Sequence, residues 1–522
     1  MTNSFGVPRK LIILAIVLPL AAIAGYLLAT PTDVDSIAFV GLLLLVLLTP
    51  VFLRWHHPML IFSWNAAIIV FFLPGAPYLW MLLGIISFSL SLLQRILDKD
   101  FRLLYAPSVT WTLVCLGLVV LVTAKFTGGW GLASMGGSSY GGRKYFSIWF
   151  AIIAYFALSW RRIPITKANT YSGIYLLSGV TALFSNLVYL AGPAAWFFYA
   201  IFPVEWALSQ AYEDFVGSPL AAKFSRLGGL SVAGYAFYSF FFMRYGVRGV
   251  LDWAKPWRLV VLVAIVALSL LGGFRSVLVF YLLLFAVQFC AERLYRSRLV
   301  LQLFVAGILG FAALIPLVQK LPLSVQRSLS ILPLPVSAVA RADAQGSSEW
   351  RLEMWRVLTP EIYKYFWLGK GFSINPTDQY LALQAVRRGL TADYEMMILS
   401  GDYHSGPLSV LIPFGIWGVL AFLAFVVAAL RLLYRNYRYG DAALQKINTF
   451  LLSFFVTKII MFVGVFGAIH LDIAVFAGIV GMSVSLNGGI CEAKPVQHSL
   501  ADSFGSDQGI VEANGRSRSR MA

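Results

Sequence analysis

Arg275 in "LLGGFRSVLVF", Arg351 in "SSEWRLEMWRV" and His404 in "GDYHSGPLSV" are the side chains best suited to chemistry in an otherwise apolar chain. A guanidinium grips phosphate oxygens through paired N–H groups. A neutral imidazole accepts or positions a proton near pH 7. Two guanidiniums and one imidazole on the same face suit an anion with a reacting hydroxyl beside it. Each residue also has a purely structural reading. Arg275 fits a membrane-interface anchor, Arg351 a solvated helix residue paired with Glu349 or Glu353, and His404 a cap on the following helix. Among the other histidines, His470 beside Asp472 in "AIHLD" is the rival, read as supporting or structural. His56 and His57 fall in the short basic stretch "RWHHP", an interface anchor, and His498 falls in a polar tail.

The elements that must position these residues are membrane helices. Of 522 residues, 59% are hydrophobic and 12% charged, and the mean hydropathy is +0.79. That excludes a soluble globular protein. About fourteen apolar runs, with twelve to fourteen spans plausible, have the length of a bilayer crossing. They lie at 11–29, 36–53, 59–73, 78–93, 107–124, 145–160, 171–190, 230–246, 257–273, 276–291, 299–316, 406–430, 449–469 and 472–488. The expected fold is therefore an all-α polytopic transmembrane bundle, with 194–209 a re-entrant or interfacial helix. Cys115, Cys290 and Cys491 are far apart and form no metal-ligand spacing, and a metal site is not expected.

Orientation follows from the basic residues. Alternate connections carry Arg54; Arg95, Lys99 and Arg102; Arg161, Arg162 and Lys167; Arg244, Arg248, Lys255 and Arg258; Arg293, Arg296 and Arg298; and Arg431, Arg435, Arg438 and Lys446. That side is the cytoplasm, with both termini on it. The net charge of +17 then needs no nucleic-acid partner; it matches a bilayer with anionic lipid, about 1 kcal/mol per basic residue near the surface. The expected organisation is eleven spans over 1–316, an extracytoplasmic helical loop over 317–405, three spans over 406–490 and a disordered cytoplasmic tail over 491–522.

The long loop departs from the short connections elsewhere, which marks function or independent folding. Ser347 or Ser348 would cap a helix in which Trp350, Met354, Leu358 and Ile362 recur at helical spacing. "GKG" at 369–371 would end that segment in a tight turn, and 378–390 would form a second amphipathic helix. Parity puts Arg275, Arg351 and His404 on the outer side. An arginine in hydrocarbon is costly, of order 3 kcal/mol at a helix centre, and faces a cavity or a partner.

The order of "FRS" in a span, R-x-x-x-W with a following G-x-G, and a histidine leading into a glycine-containing span resembles the O-antigen ligase and polymerase superfamily. The matching positions are Arg275; Arg351, Trp355, Gly369 and Gly371; and His404 with Gly415 and Gly418. The resemblance covers about 270 to 430. It implies a C-type glycosyltransferase of the cytoplasmic (inner) membrane, acting at its outer face and taking a glycan from a polyprenyl-pyrophosphate carrier to a sugar, lipid or protein hydroxyl. It also implies inversion, no metal and no other cofactor. Arg275 and Arg351 would bind the pyrophosphate, and His404 would orient or deprotonate the acceptor. Where the family often has His-Asn, this chain has His404-Ser405, whose hydroxyl can still cap the next helix. Asp402 and Tyr403 lie close enough in sequence to support the histidine, and Arg387 and Arg388 could hold further phosphate or sugar.

Two other readings stand beside this one. A lipid-linked-oligosaccharide or polysaccharide transporter would suit the many spans, although Lys458 is the main charge within one. Another C-type branch would want acidic residues in the first outer loop, where "TPTDVD" supplies Asp33 and Asp35.

Overall fold

The computed structural model describes residues 17–19, 21–23, 25, 34–99, 103–132, 135, 139–204, 226–390 and 394–493. These build an all-helical bundle with only two isolated β-bridges, Ile69–Tyr78 and Tyr140–Ile374. In chain order the helices are α1 Val34–Ser63, α2 Leu79–Leu97, α3 Pro107–Thr127, α4 Gly142–Ser159 and α5 Ile165–Ala191, the last with a 3-10 stretch at Ser178–Ala182. They continue as α6 Gly228–Val250, α7 Trp257–Leu270, α8 Arg275–Ala291 and α9 Leu299–Lys320. An insert of α10 Leu323–Leu329, α11 Ala338–Tyr365, α12 Pro376–Arg387 and α13 Tyr394–Ser400 precedes α14 Gly406–Tyr439, α15 Gln445–Gly464 and α16 Ile469–Asn487. Among the described residues, seven helical segments are long and apolar enough to cross a membrane: α2, α3, α5, α9, α14, α15 with its preceding turn, and α16. α7 and α8 are shorter apolar helices.

α16 sits deepest. Its Ile473, Phe476, Ala477 and Val480 are fully enclosed within the main core, which also takes in Leu113, Tyr145, Phe425, Phe450 and Phe455. α9 is the opposite case. Among the described residues none of its apolar window is buried, as expected for a helix whose neighbours are lipid tails.

The expected pair of spans at 36–53 and 59–73 is not formed as two helices. α1 runs unbroken through Arg54, Pro50 and Pro58 to Ser63, and Trp64–Tyr78 is irregular. Hydropathy misjudged this stretch because non-helical backbone is tolerated at membrane depth when protein satisfies its polar groups. Here Ala67 N donates to Thr181 Oγ1 at 2.8 Å, Ile69 N to Ile201 O at 2.8 Å, and Asn65 Nδ2 to Tyr175 O at 2.7 Å. His56 and His57 accordingly are no loop anchors. Both are buried within α1, His56 between Ser87 Oγ at 2.7 Å and Arg161 Nη1 at 2.9 Å, and His57 against Leu158 O at 3.0 Å. The interfacial segment expected at 194–209 is a 3-10 helix, Pro193–Ala200, as far as Val204. The expected first span at 11–29 and the tail at 491–522, with Asp33 and His498, lie wholly or mostly outside the described residues.

The insert is helical as expected, with shifted boundaries. α11 begins nine residues before Ser347, at Ala338, where Ser337 caps it by accepting from Ala340 N at 3.3 Å. α12 starts at Pro376 and is capped by Asn375, whose side chain accepts from Thr377 N at 2.9 Å.

Candidate functional site

The G-x-G of the insert locks into a break in α14. Pro413 has no N–H, and Gly415 adopts φ +62° inside the helix, so the regular ladder is interrupted there. The insert satisfies the freed groups. Lys370 N donates to Ile412 O at 2.8 Å, Gly371 N to Pro413 O at 2.9 Å, and Ile416 N returns a bond to Phe366 O at 2.7 Å. The approach is too close for side chains: a Cβ on Gly369 would lie 2.2 Å from Pro413 O, and one on Gly415 2.7 Å from Trp367 O. Both also have positive φ. These two glycine elements therefore have one joint purpose, to seat the end of α11 in the kink of α14.

That seating carries His404. Met354 and Leu358 of α11 pack with Tyr403 and Ile412 in a small apolar cluster. Trp355 Nε1 donates to the carbonyl of Tyr403 at 2.9 Å. Tyr403 is 1% exposed and its ring is a packing element. The chain then turns through His404 at φ +50°, a left-handed conformation rare outside glycine. Its ring stands 5.3 Å from Trp350 and 5.2 Å from Phe466, centroid to centroid. His404 Nδ1 is buried with no hydrogen-bond partner among the described residues. Neither His404 nor Ser405 caps α14. Ser405 is the N-cap residue but makes no side-chain cap bond, and Pro407 instead removes one of the orphan donors of the first turn.

Arg275 is the first residue of α8, and its Nη2 donates to Ser348 Oγ at 3.2 Å on α11. Ser348, a candidate cap by sequence, lies within the helix and links the two elements. Arg351 sits one turn further along α11. It does not pair with Glu353, which instead takes Arg356 at 3.0 Å. Burial, followed by the nearby charges of Arg275 and Arg327, holds the Arg351 guanidinium below its ordinary pKa. Three cations therefore act on one another here. In the sequence Arg327 stands in "LSVQRSLS", a run with no motif. It is 4% exposed, ion-paired to Asp343 and donating to Gly273 O, two residues before Arg275. Arg226 reaches the same carboxylate at 3.7 Å.

Among the described residues Asp402 makes no hydrogen bond or ion pair with His404. It accepts from Lys144 Nζ at 2.8 Å, and His470 Nε2 lies 3.8 Å from the same oxygen. Burial opposes the Asp402 charge, but Lys144 and His470 overcome it and hold the carboxyl below the usual range. Lys144, at the start of α4, also donates to Ser400 O at 2.6 Å. In the sequence it follows the glycine- and serine-rich stretch "GGSSYGGR" and carries no motif. His470, the second residue of α16, has a buried Nδ1 with no partner among the described residues. Arg387 and Arg388 are exposed at the end of α12 and make no ion pair among the described residues, so nothing joins them to the other arginines.

For His404 itself, burial is the largest influence, then Arg351; Lys144 adds to them and Asp402 opposes. The result is a pKa lowered to about 4. At neutral pH the ring is uncharged and has an open nitrogen lone pair or N–H. Two cavities border the site. One, of about 840 Å³, is lined by Arg275, Arg341, Ser348 and the turn Ile331–Pro335. The other, of about 360 Å³, lies among the helices and includes Ser276, Tyr235, Lys458 and Phe466. The consecutive residues Arg275 and Ser276 thus face different cavities, and Phe466 joins the second to the His404 ring. Lys458 is neutralised by Asp472 at 3.1 Å. Among the described residues no group of three or more His, Cys, Asp or Glu side chains could hold a metal ion.

Fold and site together define a multi-pass helical membrane protein in which a group of arginines and a buried histidine gather where an insert meets a broken helix. Residues 259–423 match the family model described as O-antigen ligase. That stretch runs from α7 through the insert into α14 and contains Arg275, Arg327, Arg351 and His404. The match supports the resemblance to the O-antigen ligase and polymerase superfamily, and with it a membrane glycosyltransferase-like role in surface polysaccharide biosynthesis. No curated protein matches the chain.

Proposed function

We propose that this protein transfers a glycan from a polyprenyl-pyrophosphate carrier to an acceptor hydroxyl at the outer face of the cytoplasmic membrane, as a polymerase or a ligase. The observation that carries the reading is the buried Nδ1 of His404, which has no hydrogen-bond partner among the described residues, beside Arg351, itself in the field of Arg275 and Arg327. Buried polar atoms are ordinarily paired, and a partner arriving with substrate suits this one. Arg275 and Arg351 bind the pyrophosphate. The acceptor oxygen attacks the anomeric carbon from the side opposite the leaving group, so configuration inverts. The C–O bond to the carrier breaks, and its electron pair leaves on the pyrophosphate. The hydroxyl proton passes to His404. Fixed cations aimed at the developing charge replace a general acid for so good a leaving group, and a positioned base adds about 10²–10⁴-fold. Asp402, with Lys144 and His470, borders the acceptor side, while the arginines hold the donor.

The test is complementation of a strain lacking the protein with His404→Ala, Arg275→Ala and Arg351→Ala, with membrane levels checked by immunoblot. Surface glycan should disappear while carrier-linked glycan accumulates on the outer face. Full activity in all three variants would overturn the assignment. Accumulation confined to the inner face would favour transport of the lipid-linked glycan instead.

A further inference from the structure

A larger cavity than the two beside the site lies away from His404. About 1250 Å³ opens between the end of α6, the turn after α8, the end of α14 and the start of α15. α8 relates it to the site described above: Arg275 is the first residue of that helix, and Ala291, its last, lines the cavity. At about 1.5 Å per residue, the helix separates the two by the thickness of an apolar layer.

Five cations line this cavity: Arg248, Arg293, Arg296, Arg438 and Lys446. Its two carboxylates do not neutralise them. Glu292 accepts from Val247 N at 2.7 Å, Arg248 N at 3.0 Å and Gln288 Nε2 at 3.0 Å, and Asp252 accepts from Ala254 N at 3.0 Å. Among the described residues none of the five cations forms an ion pair. A basic face alone would be ordinary topology. A concave one is different: five cations line it against two carboxylates, and those two are held by hydrogen bonds and ion-paired to none of the five among the described residues.

The surroundings say what kind of anion fits. Trp253 lines the cavity and is 75% exposed, and Trp257 and Tyr295 are exposed nearby, the aromatic signature of the lipid headgroup level. Leu299 also lines it and begins α9, whose Leu301, Phe304, Ile308 and Leu309 stand uncovered by protein. Lipid chains can therefore run along α9 with the headgroup in the cavity. We infer that this cavity binds the phosphate-bearing headgroup of an anionic phospholipid, with a two-phosphate headgroup the better match to five converging cations.

The experiment uses the full-length protein in a neutral detergent and measures binding by native mass spectrometry and thermal shift. Probes are a diphosphatidylglycerol, a phosphatidylglycerol, a phosphatidylcholine and free inorganic pyrophosphate. Saturable binding should follow that order of lipids. It should weaken at least tenfold in an Arg248→Gln, Arg296→Gln, Arg438→Gln variant. A charge-matched control, Arg54→Gln, Arg244→Gln, Arg431→Gln, lies outside the cavity and should bind as the unmodified protein does. Equal loss in the control would reduce the effect to general surface charge and overturn the inference. So would equal binding of phosphatidylcholine. Full displacement of lipid by pyrophosphate would overturn the lipid assignment in favour of a soluble phosphorylated ligand. If the triple variant fails to fold, Arg296→Gln alone should still weaken binding measurably; unchanged binding there would likewise count against the site.

Discussion

The indole N–H of Trp355 bonds to the carbonyl of Tyr403 at 2.9 Å, tying α11 to the residue just before His404. The bond fixes where the left-handed turn at His404 begins, and so where the imidazole points. Trp355→Phe keeps most of the ring but leaves the carbonyl short of its donor, a loss of about 1 kcal/mol. Membrane levels should stay near normal while glycan transfer falls about tenfold. Equal losses of protein and activity would indicate a packing role only.

Neutral His404 should persist far below the usual histidine range. Burial and the cations at Arg351 and Lys144 all disfavour the imidazolium, so protonation waits until about pH 4. The acid limb of kcat/KM, which reports the free enzyme, should fall near that value and not near 6.5. Arg351→Gln removes one of those cations, so the His404 pKa should rise. The pH dependence of diethylpyrocarbonate modification at His404, read by peptide mass spectrometry, would show the shift. An unchanged midpoint would place Arg351 too far away to matter.

Gly369 and Gly389 separate steric fit from backbone strain. Both have positive φ, +74° and +67°. A Cβ at Gly369 would collide with Pro413 O at 2.2 Å, whereas at Gly389 nothing lies within 4 Å. Gly389→Ala should cost about 1 kcal/mol from conformation alone. Gly369→Ala should lower Tm in detergent several times more and abolish transfer, because the G-x-G can no longer enter the break in α14. Similar Tm shifts for the two would mean that the seating is not rigid.

Arg327 should matter as much as Arg275 without reaching substrate. It holds the Gly273 carbonyl and the Asp343 carboxylate that flank Arg275. Arg327→Gln should reduce activity at least a hundredfold and destabilise the insert. Adding Asp343→Asn removes the carboxylate that Arg327 pairs with, which Arg226 also reaches, and should restore Tm more than activity. Recovery of both together would make Arg327 only a counter-ion for Asp343.

Hydropathy sees the mean character of a window, which is why the apolar helices and the helical insert were legible. It does not see whether an apolar stretch is helical, and 59–73 differs for that reason: its amides found partners in Thr181 and Ile201, more than a hundred residues away. Glycine spacing marked Gly369, Gly371 and Gly415, but only the folded chain shows that they meet.

By itself the sequence determined the apolar, multi-pass class of the protein and marked a long helical insert, with Arg275, Arg351 and His404 as candidates, because composition and local order carry that information. Tertiary structure alone decided which charges stand together. Arg327 and Lys144 carry no local signal; they matter because folding brings Arg327 to Asp343 and Lys144 to Asp402, and the partners of a buried charge are chosen by packing rather than by neighbours in the chain.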